Sequence, residues 1–207
     1  MEPFAQYLQS LRRFEREDDR TATPAVLDIQ AGESIFDIHQ PANAIFGLQA
    51  GQVQLIQYLD SGYTGYQYRL HSGQWFGESA LFFNSYQDCA VATRPSKILS
   101  VPKQTFLALL KQEPELAMDF TERLASQLQT AKTLMALRCL RLAVDRVYGY
   151  LRMMAEIGAE SYVLDRSLKE IAEQLCLTPE VISRSLRKLQ DQGLIRRDGR
   201  TVTFLLR

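Results

Sequence analysis

Residues 168 to 189, LKEIAEQLCLTPEVISRSLRKL, contain two amphipathic segments separated by a break at Thr178 and Pro179. Threonine is a favourable helix N-cap, and proline fits the first helical position because the N–H that it lacks would be unpaired there. The break therefore predicts the start of a second helix. Apolar residues recur at helical spacing on both sides of it, which predicts that the two helices pack together. The residues expected on this shared inner face are Leu168, Ile171, Ala172, Leu175, Leu177, Ile182, Leu186 and Leu189.

Two helices joined in this way form a helix-turn-helix, whose second helix lies in the major groove of DNA. A carboxylate there can accept a hydrogen bond from cytosine N4, and a guanidinium can bind guanine O6 and N7. The polar residues predicted to contact base edges are Glu180, Ser183 and Arg184. Those predicted to contact the DNA backbone are Ser167, Thr178, Arg187 and Lys188. The alternative is a solvated helix face with an ion pair at positions i and i+4.

A hairpin is predicted after these helices, because Asp198-Gly199 lies between LIRR and TVTFL and a DG pair favours a tight turn. The hairpin would form a wing whose Arg196, Arg197 and Arg200 can contact DNA phosphates. Residues 138–207 contain 13 Lys+Arg and 9 Asp+Glu, a balance of +4, whereas residues 1–137 contain 11 and 15, a balance of −4. The net charge of +0 for the whole chain therefore hides a basic C-terminal part, which is favourable beside DNA.

Cys176 occupies the turn position where a helix-turn-helix commonly has glycine. A positive φ there would cost a residue with a side chain about 1 kcal/mol, unless the turn adjusts. We expect the Cys176 side chain to be buried and unreactive. The other cysteines are Cys89 and Cys139, and no two of the three form a CxxC pair, so neither a disulfide framework nor a zinc site is predicted.

Residues 25 to 101 consist of short apolar or alternating segments separated by turn residues, and a short helix over residues 4 to 14 precedes them. Many short strands at close spacing predict an antiparallel barrel or roll. A hydrophobic content of 46% with 23% charged residues is typical of a globular chain. The residues expected in turns are Gly32, Pro41, Gly51, Ser61, Gly62, Gly73 and Pro95.

A long helix is predicted over residues 114 to 137, which would measure roughly 36 Å at about 1.5 Å per residue. Its apolar stripe can face its own domain, a second copy of the chain, or both. The stripe consists of Leu116, Phe120, Leu124, Leu128 and Met135. If the stripe packs only within its own domain, the segment is an ordinary core helix and implies no dimer. A second helix over residues 140 to 154 and a short strand over residues 162 to 164 are expected to follow.

The predicted fold class is α+β with three parts. Residues 1–112 form an N-terminal helix and a β-roll sensory domain, residues 113–137 form a dimerisation helix, and residues 138–207 form a winged helix-turn-helix. The N-terminal segment becomes charged too early for a signal peptide, and no apolar run is long enough to span a membrane. We therefore predict a cytoplasmic protein.

The order of these parts resembles the Crp/Fnr family of bacterial transcription regulators over nearly the whole chain. The roll has the family's glycines in AGESIF, QAGQVQL and HSGQWFGESALF, and Glu180 followed by Ser183-Arg184 resembles the Fnr branch. The catabolite-activator branch usually has Arg and Gly where this chain has Pro179 and Ser183. The resemblance implies a homodimer on a two-fold DNA site with TTGAT-like half-sites, with RNA polymerase as a further partner. It does not distinguish an activator from a repressor.

The sensory part departs from the family's cyclic-nucleotide binders, which hold the ribose with the Glu of an FGE segment and the phosphate with an Arg-Ser pair. Glu78 matches the first, but Asp88 and Cys89 stand at the Arg-Ser position, and Ala131 and Lys132 replace a Thr-Ser contact on the long helix. A carboxylate facing a cyclic phosphate is repulsive. We therefore predict no response to cyclic AMP, and Glu78 can instead cap or pair within the roll.

Other functions stay open as alternatives. The Fnr iron–sulfur cluster needs an N-terminal cysteine group, but the first cysteine here is Cys89. Haem would need His39 or His71, and both are expected in exposed loops. Another small molecule could occupy the roll, or the chain could be a scaffold that does not bind DNA. We predict no cofactor and no metal, and the sequence contains no GxGxxG or HExxH motif that would indicate an enzyme.

Overall fold

The computed structural model describes residues 4–17, 23–58, 64–155 and 158–205. The chain divides into two compact units, Met1–Thr121 and Glu122–Arg207. The three-part division predicted from the sequence stays a prediction, because packing alone does not test which segment would pair two chains. The turn expected at Ser61 and Gly62 lies outside the described residues.

The first unit is an antiparallel roll with helices beside it, as predicted. The strand order is β1-β6-β3-β4, with β2 paired to β6 and β5 paired to β3. The elements are helix α1 (Ala5–Glu17), strands β1 (Ala25–Ile29), β2 (Ser34–Phe36), β3 (Ala44–Tyr58), β4 (Thr64–Leu70) and β5 (Trp75–Phe76), a 3-10 helix (Glu78–Leu81), strand β6 (Cys89–Pro102) and helix α2 (Lys103–Gln112).

The turns expected at Gly51 and Pro95 are wrong, because both residues lie inside the long paired strands β3 and β6. The pairing shifts register around Gly51, which has φ +94°. A Cβ on Gly51 would lie 2.5 Å from the Pro95 carbonyl oxygen. The two residues thus form an irregularity where the strands approach closely, and a bulge needs glycine for the same conformational reason as a turn.

Aromatic residues fill the core of the first unit. Phe36 stacks on Tyr86 with ring centroids 4.0 Å apart, and Phe46 packs on Phe76 at 5.4 Å. The α1 residue Tyr7 contacts Trp75 and donates from its hydroxyl to an Asp119 carboxylate oxygen at 2.8 Å. The predicted N-terminal helix therefore belongs to the core of this unit.

The second unit contains most of helix α3 (Pro114–Cys139), which starts in the first unit, followed by helix α4 (Ala143–Met154) and a winged helix-turn-helix. The remaining elements are strand β7 (Ser161–Val163), helices α5 (Leu168–Leu175) and α6 (Pro179–Asp191), and strands β8 (Ile195–Asp198) and β9 (Thr201–Phe204), in sheet order β7-β9-β8. Among the described helices, none has the length and apolarity needed to cross a membrane.

The predicted stripe on α3 is divided by the structure. Leu116 and Phe120 are buried within the first unit, where the Phe120 ring meets Phe106 edge to face. Leu128 and Met135 are instead 56% and 64% exposed. Leu124 lies between these extremes. Only the later part of the stripe is therefore available to a second chain.

Candidate DNA-binding surface

Helix α5 is short, and its first turn is capped from both directions. Ser167 is the N-cap, and its hydroxyl accepts from the Glu170 amide at 3.2 Å, while the Glu170 carboxylate accepts from the Ser167 amide at 2.8 Å. This reciprocal capping box satisfies two amides that an isolated helix would leave unpaired. Ile171, Ala172 and Leu175 are buried on the inner face, as predicted.

Cys176 ends α5 in the left-handed conformation, with φ 53° and ψ 48°. The Leu177 amide donates to the Ala172 carbonyl at 2.9 Å, and the Cys176 amide donates to the Glu173 carbonyl at 3.4 Å. This pair of bonds is a Schellman motif, and its left-handed residue is usually glycine. The positive φ expected from the sequence is therefore observed, but the expectation of a buried thiol is wrong, because Cys176 is exposed.

Replacing Cys176 with glycine should raise the free energy of unfolding of the second unit by roughly 0.5–1 kcal/mol, because glycine adopts this conformation without steric cost. Chemical denaturation followed by circular dichroism measures the change. Cys139→Gly is the contrasting variant: Cys139 is the last residue of α3 and has no positive φ, so glycine there should not raise the free energy of unfolding. A Cys176→Gly protein less stable than wild type would contradict the strain argument.

Helix α6 begins at the predicted break. Thr178 is the N-cap, its hydroxyl accepts from the Val181 amide at 3.4 Å, and Pro179 occupies the first turn. Ile182, Leu186 and Leu189 are each at most 2% exposed. The predicted outer face is solvent-exposed throughout and consists of Glu180, Ser183, Arg184, Arg187 and Lys188. The inner side of α6 is thus packed against the protein, and its outer side is accessible to solvent.

The electrostatics of this outer face favour an ionised Glu180. Its pKa is lowered, first by the hydrogen bond from the Thr178 hydroxyl, then by its own backbone amide and by the charge of Arg184. At neutral pH the carboxylate is therefore a hydrogen-bond acceptor only. The structure brings Glu180 and Arg184 into electrostatic contact, as their i, i+4 spacing indicated.

The wing is a hairpin, as predicted, with its loop displaced by one residue. Asp198 pairs with Thr201, so the two loop residues are Gly199 and Arg200 rather than Asp198 and Gly199. Gly199 has φ +54°, which a tight hairpin turn requires at its first central position. Arg196 is exposed on the wing.

Two wing arginines already bind backbone carbonyls of the protein. The Arg197 Nε donates to the Gly199 carbonyl at 2.9 Å. The Arg200 Nε donates to the Leu164 carbonyl at 2.6 Å. Arg196 and Arg200 therefore differ: Arg196 is exposed on the wing, whereas Arg200 is hydrogen-bonded to the loop before α5.

A groove beside α6 involves residues that sequence reasoning did not identify. The N-cap of α4 is Leu142, which has no side chain able to cap the helix. The sequence could have indicated an uncapped N-terminus at α4, because leucine is unfavourable at an N-cap. The groove has a volume of about 240 Å³ and is lined by Leu142, Ala143, Val144, Val181, Arg184, Ser185 and Lys188.

The candidate effector residues in the first unit are close together. Glu78 opens the 3-10 helix, and its pKa is raised first by burial and further by the negative charge of Asp88. Burial also raises the pKa of Asp88. Cys89 is buried, and its sulfur accepts from the Ile38 amide at 3.4 Å. Ala131 and Lys132 are exposed on α3.

The two histidines differ in environment. His39 is exposed in a turn with φ +69°, as expected. His71 follows β4 and is only partly exposed, whereas the sequence predicted an exposed loop residue. The His71 amide donates to the Gln74 side-chain oxygen at 2.7 Å, which connects the two ends of this turn.

Comparisons with known proteins agree with this architecture. Residues 26–113 match the cyclic nucleotide-binding domain model, and residues 145–207 match the Crp-like helix-turn-helix domain model. Electron transport regulator A of Shewanella oneidensis is 24% identical over 86% of this chain and 73% of its own length. The transcriptional activator protein anr of Pseudomonas aeruginosa is 24% identical over 86% of this chain and 75% of its own length.

A solved structure with a similar fold is that of FixK2 from Bradyrhizobium japonicum, with a TM-score of 0.64 and 23% identity over 90% of this chain and 94% of that one. The two matched domain models occur in the same order as the two compact units and together span more than half of the sequence. The chain therefore belongs to the Crp/Fnr family, as a transcription regulator with a helix-turn-helix DNA-binding domain.

Proposed function

We propose that this regulator is a homodimer that recognises a two-fold DNA site through α6. The observation that carries the proposal is the contrast between the two faces of this helix: three inner residues are at most 2% exposed, and every outer polar residue is open to solvent. Glu180, Ser183 and Arg184 contact base edges in the major groove. The ionised Glu180 suits a cytosine N4 donor, and Arg184 suits a guanine.

The DNA backbone contacts come from residues around this helix. Helix N-termini and exposed cations are suited to phosphates, since the first-turn amides that no cap uses and the cationic side chains both present donors to a negative charge. The proposed backbone contacts are Ser167, Thr178, Arg187, Lys188, Arg196 and Arg197. Arg200 is left out because its Nε hydrogen bond reaches Leu164 outside the wing, whereas that of Arg197 stays within the wing. Lys188 lines the groove beside the α4 N-terminus, so a phosphate there would meet both a cation and unpaired helix amides.

The two subunits pair through the later part of α3. Leu128 and Met135 are large apolar side chains that lie more than half exposed on one helix face. Burying them against a second copy would place two α6 helices in successive major grooves about 34 Å apart. The half-sites we expect are TTGAT-like, as implied by the resemblance of Glu180, Ser183 and Arg184 to the Fnr branch.

We propose that cyclic AMP is not the effector. Asp88 stands where a phosphate-binding arginine would be needed, and the Glu78 and Asp88 carboxylates already repel each other in a partly buried environment. A cyclic phosphate would add a third negative group. A different, non-anionic small molecule in the roll is the second candidate, and RNA polymerase is the expected protein partner.

DNA binding itself is tested by fluorescence anisotropy with a labelled duplex between about 50 and 200 mM salt. We expect log K to fall linearly with log salt, with a slope of about −0.9 for each phosphate neutralised. Absence of binding to any duplex at low salt would overturn the proposal and would favour a scaffold that contacts only proteins.

A further inference from the structure

Helix α5 positions α6, the helix proposed to enter the major groove. Yet α5 is only eight residues long. An isolated helix of this length is not stable in water, so its position depends on contacts at its ends and on its inner face. Its C-terminal end and the segment that leads into it are contacted by arginine side chains that come from distant parts of the second unit. Arg138 approaches from the last turn of α3, and Arg200 approaches from the wing loop.

Arg138 contacts the C-terminal end of α5. Its Nε donates to the Gln174 carbonyl at 2.9 Å, across 36 residues of sequence. The Schellman bonds at this end use the Ala172 and Glu173 carbonyls, so Arg138 provides a partner for the next carbonyl along the helix. A cation at a helix C-terminus is also favourable with the helix dipole.

Arg200 contacts the segment that leads into α5. Its Nε donates to the Leu164 carbonyl at 2.6 Å, and its own carbonyl accepts from the Leu164 amide at 2.8 Å. Leu164 is 2% exposed and lies three residues before the N-cap Ser167. This two-way connection fixes the wing loop to the start of the helix-turn-helix.

The end of α3 is anchored in the same unit by packing. Leu134 is 6% exposed and belongs to the core cluster that contains Ile171 and Leu186. Leu137 lies so close to α4 that a Cβ on Gly149 would come within 2.4 Å of its side chain. Arg138 therefore projects from a firmly packed helical turn, which makes it a fixed point for α5.

We propose that Arg138 and Arg200 are positioning residues that brace the C-terminal end of α5 and the segment that leads into α5, and thereby set the orientation of α6 on DNA. Arg200 acts through the protein backbone and is not a phosphate anchor, in contrast with Arg196 on the same wing. This inference rests on the proposed DNA-binding function, but the brace itself can be measured without DNA.

The variants are Arg138→Gln and Arg200→Gln, with Arg141→Gln and Arg196→Gln as matched controls that remove an exposed positive charge nearby. We expect both brace variants to reduce the ratio of specific to non-specific DNA affinity about three- to ten-fold, the scale of one ordinary intramolecular hydrogen bond. Their salt slopes should equal that of wild type. Arg196→Gln should instead weaken both affinities alike and reduce the slope by about 0.9.

Amide hydrogen exchange on the free protein is the independent measurement. Arg138→Gln should accelerate exchange at the Cys176 and Leu177 amides, and Arg141→Gln should leave these rates unchanged. Arg138→Lys keeps a donating cation and should recover most of the protection from exchange. This variant is compared with wild type if Arg138→Gln does not fold. A reduced salt slope in Arg200→Gln, or unchanged exchange in Arg138→Gln, would overturn the brace. Wild-type protein that binds no DNA would instead refute the proposed function.

Discussion

Replacing Arg184 with alanine is expected to weaken binding to the cognate DNA site by about 1–3 kcal/mol, or roughly five- to 150-fold, and to relax the base preference at one position of each half-site. Arg184 is exposed on α6, and its charge lowers the pKa of Glu180. Its loss would remove the forked contact to guanine and would also leave Glu180 without a neighbouring cation. Titration of cognate and scrambled duplexes measures both effects.

Lys188→Ala is the matched control for Arg184→Ala, because Lys188 lies one turn further along the same exposed face. As a phosphate contact, it should weaken cognate and scrambled duplexes alike and reduce the salt slope by about 1. Equal losses for cognate and scrambled duplexes in Arg184→Ala would remove Arg184 from the set of base-reading residues.

Replacing Leu128 with glutamate is expected to raise the dimer dissociation constant at least about a hundred-fold. The Leu128 side chain is 56% exposed in the single chain, and the proposed dimer would bury it. An unpaired carboxylate in an apolar interface costs roughly 3–5 kcal/mol. The affinity for the cognate DNA site should also fall when the dimer is lost, since a monomer can occupy only one half-site. Analytical ultracentrifugation measures the oligomeric state directly.

Thr130→Glu is the control for Leu128→Glu. Thr130 is exposed on the same helix, two residues further on and therefore roughly 200° around the helix axis from Leu128. The Thr130→Glu protein should have the dimer dissociation constant and the DNA affinity of wild type. A Leu128→Glu protein that dimerises like wild type would show that the later part of α3 is not the pairing surface.

The helix-turn-helix could be predicted closely because several local signals agree there. Thr178 and Pro179 mark the start of α6, and the buried positions follow the helical period of the sequence. Agreement between capping, periodicity and turn chemistry is what makes a segment predictable from its own residues. The outer face of α6 follows directly, because fixing the inner residues fixes the direction of the others.

The features that could not be predicted depend on contacts between distant segments. Gly51 has the conformation of a turn residue, and only its pairing with β6 shows that it lies within a strand. The hydrogen bond from Arg200 to the Leu164 carbonyl, 36 residues away, could not be predicted from the residues around Arg200. The Cys176 turn was predicted from the motif, whereas the exposure of its thiol depends on how neighbouring elements pack.

Selection of bound DNA from a random duplex pool shows whether the protein recognises a two-fold site. We expect an inverted repeat of TTGAT-like half-sites whose centres lie about one helical turn apart, or roughly 34 Å. Selection by the Arg184→Ala protein should lose preference at one position of each half-site and keep the spacing. Enrichment of no sequence, or of a single half-site without its inverted copy, would contradict recognition by a two-fold dimer.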